Sequence, residues 1–172
     1  RRRTRRARHA FVTAAPIKRI WRPSVTVAAV LERDGRFLMI EEESHGARVL
    51  NQPAGHWEPG ETLVEACCRE TMEESAYEFR PTAVIAIYRW RFQRDDEDTT
   101  FLRFTFAGEV GAHHPGRALD REIVGTVWMS ADEIRAARSR HRSPLVMCSI
   151  DDHLAGKRHD LALIQHIVDA AE

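Results

Sequence analysis

Lysine is nearly missing from this 172-residue chain: Lys18 and Lys157 are the only two, and arginine supplies the rest of the 26 basic residues. Cysteine is scarce as well. Cys67, Cys68 and Cys148 offer neither an even count nor a C-x-x-C spacing, which excludes a disulfide framework and the common thiolate metal and redox motifs. Cys67 and Cys68 are expected to be small buried residues in a reducing compartment, which points to the cytoplasm. The nine histidines contain no H-x-x-x-H pair, so no histidine zinc site is expected. No uncharged apolar run approaches the ~18 residues that a membrane-spanning helix needs, so no membrane partner is expected. No internal repeat is visible.

What is present reads as one domain of ordinary size, with 43% hydrophobic and 30% charged residues. The formal net charge of zero hides a division. Residues 1–23 hold nine of the 26 basic side chains (Arg1, Arg2, Arg3, Arg5, Arg6, Arg8, Lys18, Arg19 and Arg22) and no acid, leaving 17 basic against 26 acidic residues in the body. Such a tail permits contact with nucleic acid or an acidic surface, a transit peptide, or a disordered extension without a role. The last is the reading adopted, and nucleic acid is not expected as a partner. A deletion of the tail that abolished activity would reverse it.

Along the body, SVTVAAVLE (24–32) and RFLMIEE (36–42) read as strands joined by an Asp34-Gly35 turn. SHGAR (44–48) reads as a loop, and VLNQPAGH (49–56) as a short strand broken by Pro53 and Gly55. Thr62 with Glu65 three residues on forms a capping box that opens a helix over about 63–75, with Leu63, Ala66, Cys67 and Thr71 facing inward. Further strands are expected over 82–92, 101–110 and 123–130, separated by charged or Gly/Pro loops at 94–100 and 111–122. Ser130 with Glu133 opens a second helix. Pro144 sits in the first turn of a third helix that Gly156 ends, and 160–170 looks like a fourth. Strands with one marked helix between hairpins, then terminal helices, suggest an α/β domain with a mixed sheet covered on both faces.

The chemistry concentrates in GHWEPGETLVEACCRETMEESAY (55–77). Glu70, Glu73 and Glu74 lie at i, i+3 and i+4, so a helix sets them side by side, with Cβ atoms roughly 5–6 Å apart. Three like charges that close are either a solvated acidic face or a divalent-cation site, since carboxylate oxygens are the hard ligands that Mg²⁺ and Mn²⁺ prefer. The wider spacing is Gly55, five residues, Glu61, seven residues, Arg69-Glu70, two residues, Glu73-Glu74. That pattern resembles the Nudix box, the signature of the Nudix hydrolase family. Thr71, Ala76 and Tyr77 depart from it, where the family has an apolar residue, Gly and an aliphatic residue. With Ala in place of Gly, the helix is expected either to continue or to close by another turn. NQPAGH (51–56), FLRFTFAGEV (101–110) and RSPLVMCSI (142–150) are similar to a bacterial phosphatase of the same family, over about residues 24–165.

The resemblance implies a single-domain α/β/α sandwich over 24–172 and hydrolysis of a phosphoric anhydride by water, assisted by Mg²⁺ or by Mn²⁺. It implies metal ligands from the Gly55 carbonyl and Glu70, Glu73 and Glu74. Arg69 would be a fork that fixes those carboxylates, or only an ordinary helix ion pair. Glu61 would support the loop. Glu122, at the end of a long loop, is the distal candidate for general base, against an idle surface carboxylate. Arg103, a cation in mid-strand, is either exposed or aimed at a substrate phosphate. Gln52 could bond the substrate or only pair backbone groups; Trp57 and Trp90 could stack on a base, with a core role equally open for Trp90. The substrates implied are nucleoside tri- and diphosphates and hydroxymethylpyrimidine diphosphate, with no oligomeric state indicated. Other Nudix specificities (dinucleoside polyphosphate or ADP-ribose) remain alternatives, as does a non-catalytic nucleotide-binding module. Release of orthophosphate rather than AMP separates the enzymatic readings.

Overall fold

Asp34 and Gly35 take φ of 52° and 73°, the two positive values that a type I′ hairpin requires. They join β2 (Glu32–Arg33), which follows β1 (Ser24–Val30), to β3 (Arg36–Ser44). The computed structural model describes residues 20–44, 46–94 and 97–168. The expectation for the basic tail falls mostly on residues 1–19, outside the described residues. Strands β4 (Ala47–Asn51) and β5 (Ala54–His56) lead to helix α1 (Leu63–Ser75). Then come β6 (Tyr77–Arg94), β7 (Glu97–His113), β8 (Ile123–Ser130), α2 (Ala131–Ala136) and α3 (Leu145–Leu154).

The strands form two sheets, and the expected mixed sheet is one of them. One is mixed, in the order β5-β1-β7-β6. Its parallel pair, β1 with β7, sets Thr26 beside Arg103, and its other pairs are antiparallel. In the second sheet β3 pairs antiparallel with β2, β4 and β8. Alternation along β1 and β7 feeds two cores, because successive side chains leave a strand on opposite faces. Val27, Ala29 and Phe106 pack with Ala66 and Cys67 of α1. Val30 and Ala107 pack with Ile134 of α2 and with Val146 and Ile150 of α3. Helices on both faces of a mixed sheet give the α/β/α layering. Each fully buried Leu, Ile or Phe in these clusters contributes about 1.5–3 kcal/mol.

Several local expectations need correction. Over residues 160–168, the described part of the expected 160–170 helix, there is no α-helix: Asp160 accepts from the Ala162 amide, a single 3₁₀ turn spans Leu161–Leu163, and residues 164–168 carry no regular structure. Leu161 and Ile164 pack against the core while Leu163, Ile167 and Val168 stay exposed, so the segment buries too little apolar surface to sustain a helix. The hairpin strands are longer than their patterns. β6 starts at Tyr77 and runs through Pro81, which an edge strand at a register shift tolerates, and β7 continues to His113. Gly55 lies inside β5 rather than in a break, and Ser44 pairs with Ala47 to shorten the preceding loop. Of the two cysteines expected to be buried, Cys67 is, and Cys68 is only partly so.

The end of α1 also differs. Ala76 adopts the left-handed conformation at φ 57°, and its N–H donates to the Met72 carbonyl. The helix thus closes as a glycine cap would, with a strain of about 1–2 kcal/mol on Ala. The His114 amide, donating to the Ala76 carbonyl at 2.8 Å, helps to hold it. Thr71 is fully buried because its hydroxyl donates back to the Cys67 carbonyl at 2.7 Å, which satisfies the polar group. Tyr77 stacks on His113 and meets Trp128 edge-on.

Candidate active site

The entry to α1 is built from side chain–backbone bonds. The Thr62 hydroxyl accepts from the Glu65 amide and the Glu65 carboxylate accepts from the Thr62 amide, completing the capping box. Just upstream, Glu61 accepts from the Glu58 amide at 2.9 Å, and its carbonyl accepts from the Trp57 indole at 2.7 Å. Arg69 then ties loop to helix. Its Nε and Nη2 donate to the two Glu61 oxygens at 3.0 and 2.7 Å, and Nη2 also reaches the His56 carbonyl. Its Nη1 donates to Glu70 Oε1 at 2.8 Å and Glu73 Oε2 at 3.0 Å. The Arg69 fork holds the Glu61 carboxyl below the usual range, and these bonds raise the guanidinium further.

Gly55 allows the closest approach in the site. A Cβ there would fall 2.1 Å from the Glu70 carboxyl, so only glycine lets β5 lie against that side chain. Burial raises the Glu70 carboxyl, with Arg69 opposing. Glu74 accepts from the Ala54 amide at 2.7 Å. Burial pushes Glu74 up to about 8, and the Glu70, Glu42 and Asp120 carboxylates add to that rise.

The carboxylates do not end at the helix. A cleft of about 310 Å³ is lined by Glu42, Glu74, Asp120, Arg121, Glu122 and Ile123. Glu122 is held there by its carbonyl, which accepts from the Glu43 amide, and the Asp120 amide bonds the Glu73 carbonyl. Glu42 lies at the register shift between β3 and β8, its carboxyl raised by burial, with Oε1 accepting no hydrogen bond and forming a loose ion pair with Arg142 Nε at 3.7 Å. Sequence reasoning missed Glu42 and Asp120. Neither lies in the box, and only the pairing of β3 with β8 and the loop after β7 bring them in.

Arg103 is 8% exposed, and its Nε and Nη1 have no hydrogen-bond partner. Burial lowers it to about 10, against the favourable fields of Glu74 and Glu42. The other candidates diverge. Gln52 is buried, with its amide donating to the Val146 carbonyl of α3, and it does not line the cleft. Trp57 is 43% exposed and engaged with Glu61. Trp90 is half-buried and stacked on Phe101.

Among the described residues no three His, Cys, Asp or Glu side chains stand as a finished metal cage. The donor chemistry nevertheless fits a divalent cation. Arg69 uses one oxygen of Glu70 and one of Glu73, and the Ala54 amide one of Glu74, so a second oxygen of each lies outside those bonds. Crowded, partly buried carboxylates are destabilised until a cation joins them.

Residues 21–147 match the NUDIX domain model. This chain belongs to the Nudix family. It is 42% identical over 145 residues to the phosphatase NudJ of Escherichia coli K12, covering 84% of this chain and 92% of that one, and the Shigella flexneri NudJ matches to the same extent. A Nudix hydrolase from Nitrosomonas europaea superposes with a TM-score of 0.81 at 49% identity, over 85% of this chain and 98% of the other. A UDP-X diphosphatase structure shares the Nudix fold alone, with a TM-score of 0.65 at 17% identity over 84% of this chain and 69% of that one. The chain is therefore a Nudix phosphohydrolase acting on phosphoric anhydrides. Nudix hydrolases generally need divalent metal ions. Among the described residues no helix is long and apolar enough to cross a membrane.

Proposed function

We propose that this Nudix hydrolase is a Mg²⁺-dependent phosphatase of the cytoplasm that removes orthophosphate from nucleoside tri- and diphosphates and from hydroxymethylpyrimidine diphosphate. One observation carries the reading: two complementary deficits lie within one another's electrostatic field. Glu42 and Glu74 are carboxylates whose burial disfavours their charge, and Arg103 is a buried cation with two free donors in their field. A cation bound to a phosphate chain satisfies both at once, because phosphate oxygens take the arginine's donors while the metal's charge offsets that of the carboxylates. The 42% identity to NudJ, a phosphatase, supports orthophosphate as the product.

In this reading the Gly55 carbonyl and the carboxylates of Glu70, Glu73 and Glu74 hold the ion, and Arg69 fixes the orientation of two of them. The ion supplies neutralisation of phosphate charge and a more acidic water. Arg103 binds and orients the phosphate chain. Glu122, on the cleft wall beside Glu42, accepts the proton from the attacking water. Attack on the terminal phosphorus forms one P–O bond to water's oxygen and breaks the bridging P–O bond, with the shortened phosphate ester as leaving group.

The test is a substrate panel with Mg²⁺ in which orthophosphate and pyrophosphate are scored separately. Orthophosphate from GTP and GDP supports the assignment. AMP from a dinucleoside polyphosphate or from ADP-ribose, with nucleoside triphosphates untouched, would replace it with another Nudix specificity.

A further inference from the structure

We infer that Trp90 and Phe101 form an aromatic shelf that binds the flat ring of the substrate, on the same sheet face as Arg103 and one strand step away from it. The inference rests on the reading of Arg103 as the phosphate-binding residue. The register places Tyr88 opposite Arg103 and Trp90 opposite Phe101, with no shift between them. Residues i and i+2 share a face, so Phe101 and Trp90 emerge beside Arg103 roughly 7 Å along the strands.

That face is covered only in part. The Tyr88 hydroxyl donates to Asp152 of α3 at 2.8 Å, so the helix reaches the row of Tyr88 and Arg103. One step outward, Trp90, Phe101 and Phe92 are half-buried, with the Trp90 and Phe101 rings stacked at 5.4 Å and 20° and Phe92 tilted at 5.6 Å from Trp90. Across β1 the neighbour of Phe101 is Ser24, a small residue. Three aromatic side chains gathered on a partly covered sheet face bury little apolar surface of their own, but they give a flat ring a stacking platform.

The depth gradient matches the ligand's chemistry. The charged end of a ring-bearing pyrophosphate needs the buried cation, and its ring needs a π-surface near solvent. Trp57, the other candidate for stacking, is tied by its indole N–H to the Glu61 carbonyl in the loop before α1, not placed in the row of Arg103, Phe101 and Trp90. The shelf therefore confers preference for phosphate chains that carry an aromatic ring, a nucleobase or a pyrimidine, over chains that carry none.

Calorimetry in Mg²⁺ tests this on the full chain, with a non-hydrolysable GTP analogue and inorganic tripolyphosphate as the two probes. Trp90→Leu is expected to weaken the guanosine compound about tenfold or more while tripolyphosphate changes less than about twofold, and Trp90→Tyr is expected to recover most of the loss. Equal loss for both probes, or no loss for the guanosine compound, overturns the shelf. Because binding is read rather than turnover, a protein that hydrolyses neither nucleotide refutes the proposed activity without deciding this point. If Trp90→Leu does not fold, Trp90→Phe and Phe101→Leu measured against the same two probes decide it.

Discussion

Arg69 grips both oxygens of Glu61, Nε at 3.0 Å and Nη2 at 2.7 Å, across the loop that precedes its own helix. The remaining nitrogen of the fork reaches Glu70 and Glu73. One planar cation thus sets the angle between loop and helix and the orientation of two carboxylates. Lysine carries the same charge but cannot make the paired bonds. Arg69→Lys should fold, as circular dichroism checks, and lose about a hundredfold in kcat, since misplacement of about 1 Å suffices for that. Retention of near-normal turnover would reduce Arg69 to an ordinary helix ion pair.

Glu74 sets the pH behaviour of the metal-free protein. Its folded carboxyl titrates at about 8, above its ordinary 4.5. Between those values the folded state holds a proton that the unfolded state has released. The stability from this group is fully present below the lower value and is lost as pH rises through the upper one. Melts in EDTA should therefore give a lower Tm at about pH 9 than at about pH 5, and Glu74→Gln should flatten the difference. Mg²⁺ should recover most stability at high pH, because it neutralises the carboxylate once the proton has left. An unchanged slope in the Gln variant contradicts the assignment.

Ala76 holds a left-handed conformation that glycine adopts without strain. Ala76→Gly should raise the urea midpoint by an amount worth about 1 kcal/mol, with kcat unchanged because the cap lies beyond the acidic turn. A loss of stability would mean that the Ala methyl packs better than the strain suggests.

Glu122 and Glu42 compete for the role of general base. Glu122→Gln should lower kcat by about a hundredfold or more and leave Mg²⁺ affinity within error, as a calorimetric titration would report. Normal turnover in that variant removes Glu122 and leaves Glu42 as the cleft carboxylate to test.

The sequence made the α1 region legible because its determinants are local. The capping box, the glycine that meets Glu70 and the i, i+3, i+4 acids all lie within one loop and one helix. The hairpin at Asp34-Gly35 and the cap of α2 were legible for the same reason. Glu42 and Asp120 were not, because they join the site through strand pairing and a loop return that no short window records. Arg103 showed as an oddity of strand pattern, but its burial depends on the neighbouring strands and on α3. The helix expected over 160–170 failed in the opposite way: an apolar period was present, but of its residues Leu161 and Ile164 pack on the core from a single 3₁₀ turn, while Leu163, Ile167 and Val168 stay exposed.

The most direct measurement is the time course of orthophosphate release from GTP with Mg²⁺, with EDTA, and with Glu74→Gln. The account predicts steady release with Mg²⁺ and none above background under the other two conditions. Release that persists in EDTA or in Glu74→Gln, or its absence with Mg²⁺, contradicts the account.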